Sequence, residues 1–162
     1  MFHSVVKKKM IDEADLNIAK EQMCILNSVG AKISAIDGVH ALTDITGFGL
    51  GGHLIEICEG SNVSAKLDFA KIPILEKALE YQAKGCIPGG TGRNAEAYQG
   101  RIGKMTDSQK EIVFDPQTSG GLLISVGQEG EEELQAVLKE NNIETFPFGI
   151  ITEKSDHFIE LT

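Results

Sequence analysis

Apolar residues recur at roughly helical spacing from Asp12 to about Asp37, at Leu16, Ala19, Met23, Leu26 and Ile33, in a stretch opened by Asp12, Glu13 and Asp15. That period and the acidic opening predict one long helix, with Gly30 as the place where it would break. The run Val39 to Ile45 reads as a short strand that enters Thr46-Gly47-Phe48-Gly49 and then a helix from about Leu50 to Glu59. Ser64 to Asp68 alternates as a strand does. Pro73 stands where a further helix can begin, with Leu75, Ala78 and Leu79 as its apolar stripe and Gly85 as its stop. Between Cys86 and Asn94 four residues are Pro88, Gly89, Gly90 and Gly92, which predicts a loop, followed by a polar helical stretch. The apolar Ile112-Val113-Phe114 is halted by Asp115-Pro116, and Gly120 to Val126 reads as a buried strand. Leu134, Val137 and Leu138 mark an amphipathic helix from Glu129 to Asn141, and strands around Phe148 to Ile151 and His157 to Leu161 follow. Together these predict a single α+β domain over residues 1–162, a layered mixed β-sheet covered by helices.

Composition narrows the partners. The net charge of -9 provides no clustered Lys and Arg surface for phosphate backbones, so nucleic acid and anionic membrane are excluded as partners. The basic run Lys7-Lys8-Lys9 and the acidic run Glu129 with Glu131-Glu132-Glu133 read as solvated element ends. Cys24, Cys58 and Cys86 are odd in number and widely spaced, which suggests neither a disulfide framework nor a cysteine zinc site and fits a cytoplasmic location. No apolar stretch is long enough to span a bilayer, and the first residues lack the order of a signal peptide. Glycine is the outlier, with 18 of 162 residues, above the usual ~7%, and its clusters are where chemistry is sought.

The first cluster is Asp44-Ile45-Thr46-Gly47-Phe48-Gly49-Leu50-Gly51-Gly52-His53. An acidic side chain at a strand end, followed by glycines that expose backbone N–H groups at a helix start, can hold a magnesium ion together with its phosphate ligands. The same residues can serve structure alone, Asp44 accepting a hydrogen bond in a turn and the glycines allowing close packing. Gly47, Gly49 and Gly52 also satisfy G-x-G-x-x-G, with Asp68 placed as a ribose-binding carboxylate, so a freestanding dinucleotide-binding module is an alternative. Against it stand the preceding long helix and the absence of further βαβ alternation. The second cluster, Pro88 to Asn94, offers N–H groups, a hydroxyl, a guanidinium and an amide to an anion. In the third, Asp115 to Gly121, Pro116 fixes a turn and Gln117, Thr118 and Ser119 can cap or donate. Ser119 is not in a nucleophile elbow. His53, Glu56 and Cys58 could be drawn as metal ligands, but no second cluster completes them, and His53 reads better as a packed or capping residue. Cys86 reads as an unremarkable thiol.

In order, His40-Ala-Leu-Thr-Asp-Ile-Thr-Gly-Phe-Gly-Leu-Gly-Gly-His53-Leu54, Gly89-Gly-Thr-Gly-Arg-Asn94 and Asp115-Pro-Gln-Thr-Ser-Gly-Gly-Leu-Leu123 resemble the second half of selenophosphate synthetases (selenide, water dikinases), related in architecture to the aminoimidazole ribonucleotide synthetase carboxy-terminal domain. The resemblance implies an α+β layered domain and the conversion of ATP, selenide and water to selenophosphate, AMP and phosphate. It implies the cofactors Mg2+ and ATP, a homodimeric full-length enzyme, and Asp44 as a magnesium ligand. For Thr46, Gly47, Gly89, Gly90, Thr91, Asn94 and Ser119 an anion-contact or loop-shaping role is the expectation. The family's nucleophilic cysteine or selenocysteine, its lysine and its other magnesium carboxylates belong to an amino-terminal domain that precedes the part matched by this chain. Hence the expectation is a chain with no catalytic residue of its own, inactive alone and partnered by that domain. Gly51 departs from the larger apolar residue common in the family, which should alter packing rather than chemistry. A non-enzymatic regulatory domain is the remaining alternative.

Overall fold

The structure is a computed structural model in which residues 11–162 are described; the Lys7-Lys8-Lys9 run lies outside them. Helix α1, Glu13–Met23, starts at Asp12, whose side chain accepts from the Ala14 N–H at 2.8 Å. The single long helix expected over 12–37 is not formed. Leu26 is extended (φ -78°, ψ 139°), a 3-10 turn covers Asn27–Val29, and the short α2, Gly30–Ile33, follows. Asn27 and Ser28 favour turns over helix interiors. Ile33 and Ile36 are instead turned into a cluster with Leu134 and Leu138, so tertiary packing overrides a continuous helical period.

Strand β1, Val39–Asp44, enters α3, Gly49–Ser61, which ends on left-handed Asn62 before β2, Val63–Leu67. Pro73 does not open a helix. The chain stays extended through Leu75, and α4 is Glu76–Ala83, stopped before Gly85 with φ +71°. Ile72, disfavoured from helical geometry by the following proline, is buried in the core. The expected loop over 86–94 is also corrected: only its first residues are irregular, and Gly89 to Asn94 lie in α5, Gly89–Ala97. Glycines in a helix cost up to ~1 kcal/mol each, and here one of them permits contact. A Cβ on Gly90 would come within 3.1 Å of the Pro116 ring. Helix α6, Asp107–Val113, begins with a Thr106–Gln109 capping box; β3 is Leu122–Val126, α7 Gln128–Glu140, β4 Gly149–Glu153 and β5 Ile159–Leu161.

The α+β class is as expected, with the strands divided between two sheets rather than joined in one. β1 and β3 form an antiparallel ribbon that pairs Asp44 with Leu122. β2 lies between antiparallel β4 and parallel β5. This topology removes the dinucleotide reading, because β1 and β2 are not neighbours in one parallel sheet and Asp68 caps a 3-10 turn by accepting from the Ala70 N–H. The main core joins α3 (Leu54, Ile55, Cys58) to β2 and β5 (Ala65, Leu67, Ile159) and to Val113 and Phe114 at the end of α6. A second cluster packs α2 and α7 against the β1–β3 ribbon, and a third gathers Ala78, Tyr81 and Cys86. No helix among the described residues is long and apolar enough to cross a membrane.

Candidate functional site

The three glycine-bearing segments are far apart in sequence and meet in space. Beyond Asp44 the ribbon stays paired: the Ile45 N–H donates to Gly121 O at 2.9 Å and the Gly120 N–H donates to Ile45 O at 2.9 Å. The Gln117 N–H then donates to Thr46 O at 3.0 Å. Segment 115–121 is thereby fastened to the turn that follows β1. Asn94 on α5 closes the arrangement, its Nδ2 donating to Gly47 O at 2.9 Å and to Phe114 O at 3.2 Å. The Asn94 amide thus donates to two backbone carbonyls, one in the turn after β1 and one at the end of α6, just before segment 115–121.

The glycines explain how the backbones come so close. Gly49 has φ +70°, and a Cβ there would lie 2.9 Å from Val113 O, from Phe114 C and from Asp115 O. A Cβ on Gly51 would lie 2.7 Å from Phe114 Cε1 and Val113 Cγ1, and on Gly52 2.4 Å from Phe48 Cβ. Helix α3 therefore starts flush against the end of α6. Tyr98, at the end of α5, stacks on Phe114 with ring centroids 5.9 Å apart and meets Phe48 edge-on. Gly47 differs, with open space where a Cβ would stand.

Asp44 ends β1 with an exposed side chain that has no hydrogen bond or ion pair among the described residues. Thr46 Oγ1 lies 3.2 Å from His53 Nε2, and His53 Nδ1 lies 3.2 Å from Glu56 Oε2. His53 is buried, so it is the packed residue anticipated, whereas Cys58 sits in the core and joins no metal site. Gly89 and Gly90 open α5, whose N-cap Pro88 supplies no side-chain cap; the N-cap of α3, Phe48, supplies none either. Neither helix start has a side-chain cap, although the Gly49 N–H donates to Thr46 O and the Thr91 N–H to Pro88 O, both at 3.0 Å; the N-terminal end of a helix favours anions. Thr91 stands apart: it is fully buried, its Oγ1 has no hydrogen-bond partner among the described residues, and it lines a groove with Ile87 before α5 and Lys110 and Glu111 on α6. Ser119 lies on the tip of the 115–121 segment, half-buried, and makes no side-chain hydrogen bond among the described residues.

Two contributors were not anticipated as such. Asp115 is buried, and desolvation pushes its carboxyl above the ordinary range, opposed by the hydrogen bond that Gln117 Nε2 donates to its Oδ2 at 2.6 Å. The apolar Phe114 and Pro116 on either side are the sequence signal for that burial. Glu56, which the sequence offers only as a metal ligand, instead meets His53 through an i,i+3 spacing that places the two side chains together. Among the described residues no group of three or more His, Cys, Asp and Glu is arranged to hold a metal ion. Asp44 with hydroxyl and carbonyl oxygens fits magnesium, a hard cation that keeps several waters and uses one or two carboxylates, as one contributor to a site completed by other groups.

Comparison with known proteins places this arrangement in context. Residues 6–162 match the family described as AIR synthase related protein, C-terminal domain. The chain is 53% identical over 143 residues to a selenide, water dikinase of Shewanella sp. (strain MR-4), covering 88% of this chain and 41% of that protein. A selenide, water dikinase of Pseudomonas putida is 45% identical over 155 residues, covering 96% of this chain and 45% of its own length. One of Shewanella putrefaciens is 51% identical over 137 residues. The chain spans about two fifths of the length of these relatives, in keeping with the resemblance carried by the three motif segments.

Proposed function

Because this chain belongs to the family of AIR synthase related protein C-terminal domains, we propose that it forms one cytoplasmic domain supplying that domain's share of Mg-ATP-dependent selenophosphate synthesis. The observation that carries the reading is the meeting of the three motif segments at one place, where exposed Asp44 ends the strand that leads into α3 and neither α3 nor α5 has a side-chain cap. In this reading Asp44 holds one face of a magnesium ion. The positive end of α3, after Thr46 and Gly47, and the N–H groups of Gly89 and Gly90 on α5 attract and bind phosphate oxygens of ATP. Asn94 keeps both helix starts in register with segment 115–121, Thr91 packs α5 on α6, and Ser119 borders the site. Bound magnesium would neutralise charge on the phosphate oxygens during transfer.

One carboxylate does not assemble such a site, and no nucleophile is assigned to this chain. Its partner is an amino-terminal domain of the kind that the relatives' remaining length accommodates, in a homodimeric enzyme; alone the chain turns over no ATP. Phosphorus NMR of Mg-ATP and selenide tests this, with the chain mixed with the separately expressed amino-terminal half of the Pseudomonas putida relative and with each half alone. Selenophosphate in the mixture only, lost on Asp44→Asn, is the expected result. Turnover by the chain alone, or an Asp44→Asn mixture as active as the wild type, would overturn it.

A further inference from the structure

Helix α1 is poorly supported by the rest of the chain. It has 11 residues, of which only Ala19 is buried. A helix of that length is marginal in water, and in a protein its stability comes from packing an apolar face. Here that face is left open. Ile18 lines a groove of about 280 Å3 with Asp15 and with Leu75, Glu76 and Lys77 at the start of α4. Leu79, one turn beyond Leu75, is also exposed, as are Met23 at the end of α1 and Ile25 and Leu26 after it. The hydrogen bonds from α1 to α4 run through the Tyr81 hydroxyl and cover none of these apolar side chains. The groove's one cation, Lys77, is paired with Glu80 at 2.8 Å, which leaves the carboxylates of Asp15 and Glu76 in excess there. A cluster of exposed apolar side chains rimmed by charge marks an interaction surface.

The relatives indicate the occupant. The matched family is described as a C-terminal domain, and the shared part is 41% and 45% of the length of the Shewanella and Pseudomonas putida proteins. In such proteins the preceding domain is joined just ahead of the segment equivalent to α1, and a covalent link gives a nearby surface a high effective concentration. The other exposed apolar strip, Phe146 with Ile150 and Ile151 of β4, lies near the opposite end of the sequence. We propose that the α1–α4 groove is the docking surface for the amino-terminal domain, which seats an apolar side chain between Ile18 and Leu75 and borders it with Lys or Arg. This rests on the reading of that domain as the chain's partner and names the face that receives it. Docking supplies the apolar cover that α1 lacks, while Tyr81 sets the direction of the helix beforehand.

The test joins the amino-terminal half of the Pseudomonas putida relative to this chain in one polypeptide and compares its amide hydrogen exchange with that of the chain alone. Amides of α1 and α4 should exchange about tenfold more slowly, or slower still, in the joined protein. Ile18→Asp and, separately, Leu79→Asp, both at exposed positions, should leave exchange in the chain alone unchanged and return the joined protein to the rates of the chain. Ile150→Asp on β4 should have no such effect. Equal exchange of α1 and α4 in the two forms overturns the proposal, as does slowing that survives both variants. Slowing confined to β4 and lost with Ile150→Asp moves the interface to that edge and overturns it as well. Selenophosphate synthesis by the joined protein keeps the two layers apart. Synthesis without slowing at α1 and α4 removes only this inference, whereas slowing without synthesis leaves the docking face standing and removes the reading of the activity.

Discussion

Where β1, α5 and segment 115–121 meet, backbone lies directly on backbone; where α1 meets α4, the hydrogen bonds among the described residues run through the Tyr81 phenol. At the first place Gly49, Gly51 and Gly52 leave no room for a side chain, and the hydrogen bonds that join the β1 turn to segment 115–121 and to Asn94 run to main-chain carbonyls. At the second, Tyr81 OH donates to Asp15 Oδ2 at 2.6 Å and accepts from the Asp12 N–H at 3.2 Å, while Ile18, Leu26 and Leu79 stay exposed. Both regions contain apolar side chains and acidic residues. They differ in what fixes their geometry. The first is determined by what glycine lacks, so that any added atom must displace backbone; the second by long side chains that can reposition. A site that must present N–H groups and one carboxylate in fixed relation belongs in the first kind of region.

The largest expected effect comes from Gly49→Ala. A left-handed φ for alanine costs roughly 1–2 kcal/mol, and forcing a methyl against the backbone of residues 113–115 adds about 1–3 kcal/mol. Urea unfolding should therefore show a loss of several kcal/mol, and a loss below about 1 kcal/mol would break the contrast, since it would mean that the α3–α6 contact yields easily.

Next in size is Asn94→Ala. It leaves the exposed Gly47 O, which water can serve, and the part-buried Phe114 O without their donor, and the second loss costs on the order of 1–3 kcal/mol. Leu26→Ser on the α1 side, where the side chain is 81% exposed, should stay within about 0.5 kcal/mol. Equal losses from the two variants would erase the distinction between the regions. A loss confined to Asn94→Ala would sharpen it.

These two variants also mark what the sequence could disclose. The glycine clusters were readable as places of close approach, and the helices α3 and α7 and strands β1 to β5 were readable from period and turn residues, because each has its own amphipathic or buried pattern. Helix α5 was not, since three glycines within six residues argue locally for a loop, and only Pro116 and the Asn94 anchors, distant in sequence, make the helix worthwhile. The break of the first helix after Met23 was likewise hidden, because the burial of Ile33 against α7 depends on residues a hundred positions away. Of the site, Asp44 could be named from a motif. The link from Thr46 to Glu56 needed coordinates, because a hydroxyl and an imidazole seven residues apart meet only when the turn between them is known.

A smaller effect concerns pH. Burial raises the Asp115 carboxyl from its ordinary 3.8 in the folded chain. The folded state therefore keeps this proton at pH values where the unfolded chain has released it, so the contribution to stability is fully present below that ordinary value and is lost as pH rises through the raised one. Asp115→Asn removes this decline. Its stability relative to the wild type should climb with pH across that window and then level off, as urea midpoints over a pH series would reveal. A difference that does not change with pH would mean that the turn behind the site is wetter than its packing indicates, and would bring it closer in character to the α1–α4 contact.

The smallest perturbation is a thiol count, which leaves the fold untouched and compares the regions by how often each opens. Cys24 is exposed at the end of α1, Cys86 is buried in the small cluster with Ala78 and Tyr81, and Cys58 is buried in the main core, where desolvation pushes its thiol up to about 11 against a lesser opposing effect of Lys154. Thiolate is the reacting form, so Cys24 should label at once with a disulfide reagent near neutral pH. Cys86 becomes reachable whenever the α4 side opens locally, and Cys58 only when the core around α3 comes apart, so the order should be Cys24, then Cys86, then Cys58. If Cys58 labelled as fast as Cys86, backbone-on-backbone contact would confer no more protection than the phenol-held side, and the rigidity attributed to the site would have to come from something bound there.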